Sequence, residues 1–350
     1  RMLDAAILIG RFQPVHQGHL ALVHEALARA PQVIIVLGSA HQARSPKNPF
    51  TWQERAAMLR EALPETERHR LTILPVRDHY NEPLWAHAVQ QAVTVQTGPQ
   101  ARIALVGHFK DASSSYLAAF PGWSLIRMPR QGRMDAQAIR DAYFGATPDT
   151  LDAALAPLAD GVPAATRRWL SAFSHTPQYA HLQEEWRMLR DYRASWACAP
   201  YPPIFVTVDA VVQCQQQVLL IQRAHAPGKG LWALPGGFLE PRDTLWQSCL
   251  RELAEETHCE LPESTWRAAL QQVRVFDHPD RSQRGRTITH VHRFDLGNAS
   301  VPPVRADDDA ALATWVPIYE IAALEDQFFE DHFHVVSQML PGVHARSDNA

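Results

Sequence analysis

The sequence predicts an α/β fold in two parts: a doubly wound parallel-sheet domain in front and an α+β sandwich domain behind. Three observations predict it. The first 130 residues alternate short apolar runs with helical stretches, the signature of βαβ units. A break, Ala199-Pro200-Tyr201-Pro202-Pro203, then interrupts regular structure. Beyond it, strand-like runs surround one clear helix.

The front strands are expected at 5–9, 32–38, 71–76, 102–107 and 124–128, with helices at 19–30, 51–62, 84–95 and 113–120. From Ala136 the pattern turns helical, through 151–158 and 164–173, to an amphipathic helix at 182–196 carrying Trp186, Leu189 and Trp196. Past the break come strands at 204–212 and 218–222, a helix at 244–257, and strands near 272–276, 287–295 and 313–316. The domains therefore read as 1–178 and 204–350, joined by a helical linker and Pro-rich hinge at 179–203.

At 350 residues, 46% hydrophobic and 20% charged, the chain has enough apolar residues for two cores. Its 33 basic and 37 acidic residues give a net charge of −4, which disfavours nucleic acid or an acidic membrane as partner. Cys198, Cys214, Cys249 and Cys259 form no C-x-x-C pair and no zinc-like spacing, as expected of reduced thiols in a cytoplasmic protein. No apolar run approaches a membrane span, and Asp4 precedes the first strand where a signal peptide would be apolar. A homo-oligomer is compatible with the sequence, which does not fix the assembly.

Residues 7–20 read I-L-I-G-R-F-Q-P-V-H-Q-G-H-L. A buried strand ends at Gly10 and a helix begins near Gly18, so His16 and His19, three apart, can face one ligand at the helix start. Gly18 lets a phosphate approach free backbone N–H groups, and two imidazoles beside them suit charge developing on phosphorus.

This H-x-G-H motif resembles the nucleotidyltransferases that move AMP or CMP from a nucleoside triphosphate. Three further stretches resemble the archaeal-like nicotinamide mononucleotide adenylyltransferases. They are Ser45-Pro46-Lys47-Asn48-Pro49-Phe50-Thr51 with Glu54-Arg55, Asp78-x-Tyr80-Asn81 with Trp85, and Gly107-His108-x-Lys110-Asp111 with Ser113, Ser114 and Tyr116. The resemblance implies ATP contacts from Gly10, Arg11, Phe12, His16, Gly18, His19, Gly107, His108, Lys110 and Arg140, with His16, His19 and Arg140 catalytic. It implies mononucleotide contacts from Lys47, Asn48, Arg55, Tyr80, Asn81 and Trp85, the last stacking on the nicotinamide ring; on chemistry alone, Trp85 could stack a flat cation or sit in a helix core. One motif departs: the family's I-S-x-T-x-x-R is here Met134-Asp135-Ala136-Gln137-Ala138-Ile139-Arg140, with both hydroxyls replaced and a negative charge at Asp135.

Residues 234–259 read L-P-G-G-F-L-E-P-R-D-T-L-W-Q-S-C-L-R-E-L-A-E-E-T-H-C. Glu252, Glu255 and Glu256 fall at i, i+3 and i+4 and crowd one helical face, a set of hard oxygens suited to Mg²⁺ or Mn²⁺. Gly236-Gly237 permits a tight loop, and a glycine carbonyl there can complete a metal shell. This resembles the Nudix box G-x5-E-x7-R-E-U-x-E-E-x-G-U, with Gly237, Arg251, Glu252, Leu253, Glu255 and Glu256 in register. Asp243 replaces the first glutamate, so it must reach Arg251 with one methylene less, and Thr257 replaces the final glycine. The resemblance implies Gly237, Glu252, Glu255 and Glu256 as metal ligands, the glutamates being catalytic.

Arg281, Arg284 and Arg286, in the turn before the strand at 287–294, resemble the ADP-ribose pyrophosphatase branch and imply contacts to ADP-ribose. Glu320 and Glu325 are candidates for a catalytic base outside the box. Together the halves resemble the bacterial bifunctional nicotinamide mononucleotide adenylyltransferase/Nudix hydrolases. That implies ATP, nicotinamide mononucleotide and ADP-ribose as partners. Two rival readings remain open: an H-x-G-H transferase with another acceptor, such as pantetheine phosphate or glycerol phosphate, joined to a Nudix domain of different substrate, and a non-catalytic ADP-ribose-sensing regulator. The regulator would need a DNA-reading helix pair after the box, and the sequence past Val316 offers none.

Overall fold

The computed structural model describes residues 2–108, 119–129 and 135–349. Two compact units emerge, 1–183 together with 347–350, and 184–346.

In the first unit, β1 (Ala5–Gly10), β2 (Gln32–Leu37), β3 (Leu71–Pro75), β4 (Ile103–Gly107) and β5 (Ser124–Arg127) form one sheet ordered β3-β2-β1-β4-β5. Every pairing in it is parallel. Buried on both faces, its strands are apolar runs such as Val33–Val36, all wholly inaccessible to solvent. Helix α1 (Gln17–Arg29) joins β1 to β2 and buries Leu20, Val23 and Ala26. Helices α2 (Trp52–Glu61) and α3 (Glu65–Arg68) lead into β3, and α4 (Glu82–Thr97) links β3 to β4. The strand order reverses between β1 and β4, and loops leaving the carboxyl ends of those strands make the crevice where such sheets bind ligands. Residues 113–118 of the helix expected at 113–120 lie outside the described residues.

Helices α5 (Ala136–Phe144), α6 (Leu151–Leu155), α7 (Ala164–Ser174) and α8 (Pro177–Ser195) follow. Helix α8 starts five residues earlier than the expected 182. Pro177 occupies its first position, where a missing N–H costs no hydrogen bond.

The second unit is built on a mixed sheet of β6 (Ile204–Cys214), β7 (Gln217–Arg223), β10 (Leu270–Phe276), β11 (Arg286–Asp295) and β12 (Ala310–Pro317), ordered β10-β11-β6-β7-β12. The β6–β11 pair is parallel and the other neighbours antiparallel. Two short strands the sequence did not reveal, β8 (Trp232–Ala233) and β9 (Gly236–Phe238), pair with β7 and β6. Helix α9 (Leu245–Thr257) packs Cys249 and Leu253 onto Val208, Ala210 and Leu219. Helix α10 (Glu263–Ala269), a 3-10 segment at Ile318–Gln327 and α11 (His332–Met339) complete the unit; Phe333, Val336 and Met339 join the core beneath the other face.

Candidate active sites

In the front unit, His16 caps α1, its Nδ1 accepting the Gly18 N–H at 3.0 Å. His19 reciprocates, its Nδ1 accepting the His16 N–H at 3.0 Å. With both Nδ1 atoms accepting, neutral rings carry their protons on Nε2. The rings stack with centroids 3.7 Å apart, and Phe12 packs 4.3 Å from His19. Burial, with His16 and His108 nearby, holds His19 well below the usual histidine range, so it is neutral at pH 7. His108, just past β4, is fixed through Nδ1 to the Met128 carbonyl. A Cβ at Gly18 would lie 2.9 Å from the His16 ring, so glycine is required for this cap.

Arg140 reaches the same loop from α5. Its Nη1 donates to the Gln13 carbonyl at 2.8 Å and its Nη2 to Gln137 Oε1 at 2.9 Å. Its buried Nε has no partner. The altered phosphate motif thus has tasks of its own. Asp135 caps α5 by accepting the Ala138 N–H at 2.7 Å, while Gln137 orients Arg140. Lys110, Asp111, Ser113, Ser114 and Tyr116 lie outside the described residues.

The loops after β2 and β3 carry the residues expected to hold the mononucleotide. Gln13 fastens the first of them by bonding both the N–H and the carbonyl of Phe50. Lys47 and Asn48 lie on a turn closed between Ser45 and Asn48, and Asn48 Oδ1 is buried without a partner. Arg55 departs from expectation. It is wholly buried, and its guanidinium donates to the carbonyls of Arg11, Gly38 and Thr51, tying β1 to β2 rather than facing a ligand. Asn81 caps α4, with Oδ1 accepting the Leu84 N–H. Trp85, half-buried, packs edge-on against Phe120 at 5.9 Å, so one side of it belongs to the core. Tyr80 has a left-handed backbone, φ 51°.

In the rear unit, Thr244 caps α9 in a capping box with Gln247. Asp243 is left to bond Arg251 Nε at 3.2 Å, so the shorter acid does span the distance. Arg251 Nη1 donates to Glu252 and Glu255, both at 3.3 Å. Glu256 accepts the Gly236 N–H at 2.8 Å. Burial foremost, and then Glu255 and Asp308 against the opposing pull of Arg251, push Glu252 up to about 7. Burial likewise raises Glu256 well above the carboxylate range. Among the described residues no three His, Cys, Asp or Glu side chains already converge as a metal cage. Thr257 remains helical, and the left-handed turn falls one residue later on His258 (φ 51°), braced by Asp307 at 2.8 Å.

The three arginines do not act as one cradle. Arg281 is buried in a two-pronged pair with Asp331 at 2.8 and 2.9 Å, a structural role in place of the expected ligand contact. Arg286 donates to the Asp277 carbonyl. Arg284 pairs with Glu330 at 3.1 Å and lies over the rings of Phe238 and Phe329. Glu320 is exposed on the 3-10 segment, with Glu325 on the same segment. Sequence reading missed Arg223, at the end of β7, whose guanidinium lies 4.1 Å from the Phe329 ring centre. It also missed Glu330, left-handed at φ 45° with Oε2 buried and unpartnered. Glu330, in Phe329-Glu330-Asp331, carries no spacing signal; its odd backbone is visible only in three dimensions.

Fold and sites define a class: a nucleotide-handling chain with a cytidylyltransferase-like domain, matched over residues 7–114, followed by a NUDIX domain, matched over 203–339. Nicotinamide/nicotinic acid mononucleotide adenylyltransferase from Acinetobacter baylyi is 34% identical over 185 residues, 53% of this chain and 94% of that protein. The chain spans about half the length of nicotinamide-nucleotide adenylyltransferase 1 from Sulfolobus acidocaldarius, 40% identical over 87 residues, or 24% of this chain and 50% of that one. A bifunctional NMN adenylyltransferase/ADP ribose pyrophosphatase from Francisella tularensis superposes with a TM-score of 0.89 at 34% identity, over 96% of this chain and 98% of that one. Its complex with AMP and a manganese ion gives 0.88 at 33%, over the same shares. The chain belongs to the family of bifunctional NMN adenylyltransferase/ADP ribose pyrophosphatases. Among the described residues no helix is long and apolar enough to cross a membrane.

Proposed function

We propose that the front domain transfers the adenylyl group of ATP to nicotinamide mononucleotide, giving NAD and pyrophosphate, while the rear domain hydrolyses ADP-ribose to AMP and ribose 5-phosphate. The observation that carries the first half is the stacked His16–His19 pair, His19 neutral, at the α1 N-terminus and the sheet's switch point. A phosphate oxygen of the mononucleotide attacks the α-phosphorus, and the bond to pyrophosphate breaks. Nε2–H donors of the two histidines and the N–H groups opening α1 stabilise the charge that builds. Arg140, with Nε unpartnered, is a further donor for phosphate, and Asn48 Oδ1 an acceptor for the mononucleotide. Gly10, Arg11, Phe12, Gly107 and His108 line the ATP side, and Lys47, Tyr80, Asn81 and Trp85 the acceptor side. Arg55 serves the site by holding strand ends. His19→Ala should lower NAD formation by roughly 10²-fold or more. Near-normal synthesis by that variant sinks the assignment.

For the rear domain, the donor set fits a divalent cation: buried Glu256, half-buried Glu252 and exposed Glu255 crowd one helix face, with Gly237 against Glu252. Glu252, Glu255 and Glu256 would hold Mg²⁺ or Mn²⁺, with the Gly237 carbonyl. Such a cation polarises a diphosphate and acidifies a water when bound. Asp243 and Arg251 keep α9 in register beside it, and Arg284 is placed to meet a ribose or phosphate oxygen. The enzyme is read as cytoplasmic, with small nucleotides as its partners. Glu256→Gln should abolish ADP-ribose cleavage and weaken metal binding while NAD synthesis persists; full hydrolysis by it would remove the mechanism.

A further inference from the structure

The segment Ser347–Asn349 follows the rear domain in sequence yet belongs to the first compact unit. Its Asp348 engages both loops of the proposed acceptor site. One carboxylate oxygen pairs with Arg77, and the other lies 2.9 Å from His79 Nε2. The Asp348 main-chain carbonyl lies 2.6 Å from His41 Nε2. Asn349 Nδ2 donates to the carbonyl of Pro75, the last residue of β3, at 2.8 Å. The ion pair is largely dry, with Arg77 12% and Asp348 10% exposed.

These contacts fall where the backbone most needs support. Ser39, His41 and Tyr80 all have left-handed φ, at 51°, 62° and 51°. Such residues persist only where surrounding structure over-determines them. Asp78, between Arg77 and His79, accepts from Ser39 Oγ at 3.0 Å and from Gln42 Nε2 at 2.6 Å. Gln42 in turn accepts from Asn48 Nδ2 at 3.3 Å. Asp348 is therefore linked to Asn48 through Arg77 and His79, their neighbour Asp78, and Gln42, and its partner His79 lies two residues before Asn81.

We propose that Asp348 is a positioning residue for the acceptor mononucleotide: it clamps the loops after β2 and β3, so the adenylyl-transfer site is completed by a segment encoded beyond the NUDIX domain. This rests on the reading of the front domain as a mononucleotide adenylyltransferase. The side chain acts through others: its carboxylate holds Arg77 and His79, while the main-chain carbonyl of Asp348 holds His41, so that Asn48, Tyr80 and Asn81 keep their places.

The test uses the full chain with Asp348→Ala and the near-isosteric Asp348→Asn. Wild-type protein is first assayed for NAD formation from ATP and nicotinamide mononucleotide; inactivity there fails the front-domain reading itself. If wild type is active, both variants should raise KM for the mononucleotide about tenfold, with kcat and KM for ATP within about twofold. Equilibrium binding of the mononucleotide alone should weaken in parallel. ADP-ribose hydrolysis and the melting profile check folding in the same preparations. Unchanged mononucleotide KM and affinity in folded Asp348→Asn overturns the proposal. A lower KM also overturns it, because the segment would then be excluding the acceptor, and so does a fall in kcat alone.

Discussion

Arg140 is aimed by two oxygens, the Gln13 carbonyl and Gln137 Oε1, and burial pushes its guanidinium down to about 10, still fully charged at pH 7. One of the two residues that depart from the family motif, Gln137, is thus the one that orients the arginine. Gln137→Leu should raise KM for ATP several-fold, on the order of 1 kcal/mol for one lost charge-assisted hydrogen bond, and leave ADP-ribose cleavage alone. An unchanged KM would show that Arg140 needs no such guide. Asp135 caps α5, so Asp135→Ala should cost about 1 kcal/mol while Asp135→Ser, which can still cap, costs little. Unfolding curves of the two variants separate these outcomes. Sequence spacing located Arg140 but gave Asp135 only its charge, because capping depends on where the helix starts.

Helix α9 and its glycine loop make the element-scale case. A Cβ on Gly236 would lie 2.2 Å from the Val208 carbonyl, fixed backbone of β6, whereas one on Gly237 would lie 2.5 Å from the Glu252 carboxylate, the far end of a side chain. Gly236→Ala should therefore destabilise the rear domain, and Gly237→Ala should spare the fold but displace Glu252 and depress hydrolysis. Equal melting temperatures for the two variants would contradict this. The same stretch shows what periodicity reveals. The long strands, α1, α9 and the three-glutamate face were legible because burial repeats along them at fixed periods. β9 was not, since Gly-Gly-Phe has no strand propensity and exists only by pairing with β6. The short α10 and the 3-10 segment likewise carry too few residues to show a period. Arg55 and Arg281 looked like ligand contacts because an arginine in a motif is ambiguous between a ligand and the protein's own oxygens. Only the structure shows that Arg55 bonds three carbonyls and Arg281 the Asp331 carboxylate, whereas Arg140, also buried, keeps Nε unpartnered.

At the scale of the whole chain, the two units should respond oppositely to mild acid. In the front unit, His19 is held well below the usual histidine range by burial and then by His16 and His108. Unfolded, it takes a proton below about 6.5 while the folded ring stays neutral, so its stability contribution is present above that pH and lost as pH falls. The rear unit also holds two depressed histidines: His332, lowered by burial and by Arg281, Arg223 and Arg284, and His292, lowered chiefly by burial. Raised acids oppose both: burial lifts Glu185 to about 7 and Asp209 to about 6. Each stays protonated in the fold after its unfolded counterpart ionises, so it stabilises below the unfolded carboxylate pKa and loses that contribution as pH rises through the folded one. Lowering the pH from about 7.5 to about 5.5 should therefore cost the front domain stability and leave the rear domain level or firmer. Chelated protein heated at each pH, returned to neutral buffer with Mg²⁺ and assayed for NAD formation and ADP-ribose cleavage, reports each domain by its own activity. Acid must shorten survival of the first activity more than the second; the reverse order would mean that His19 and the buried rear acids do not govern the response.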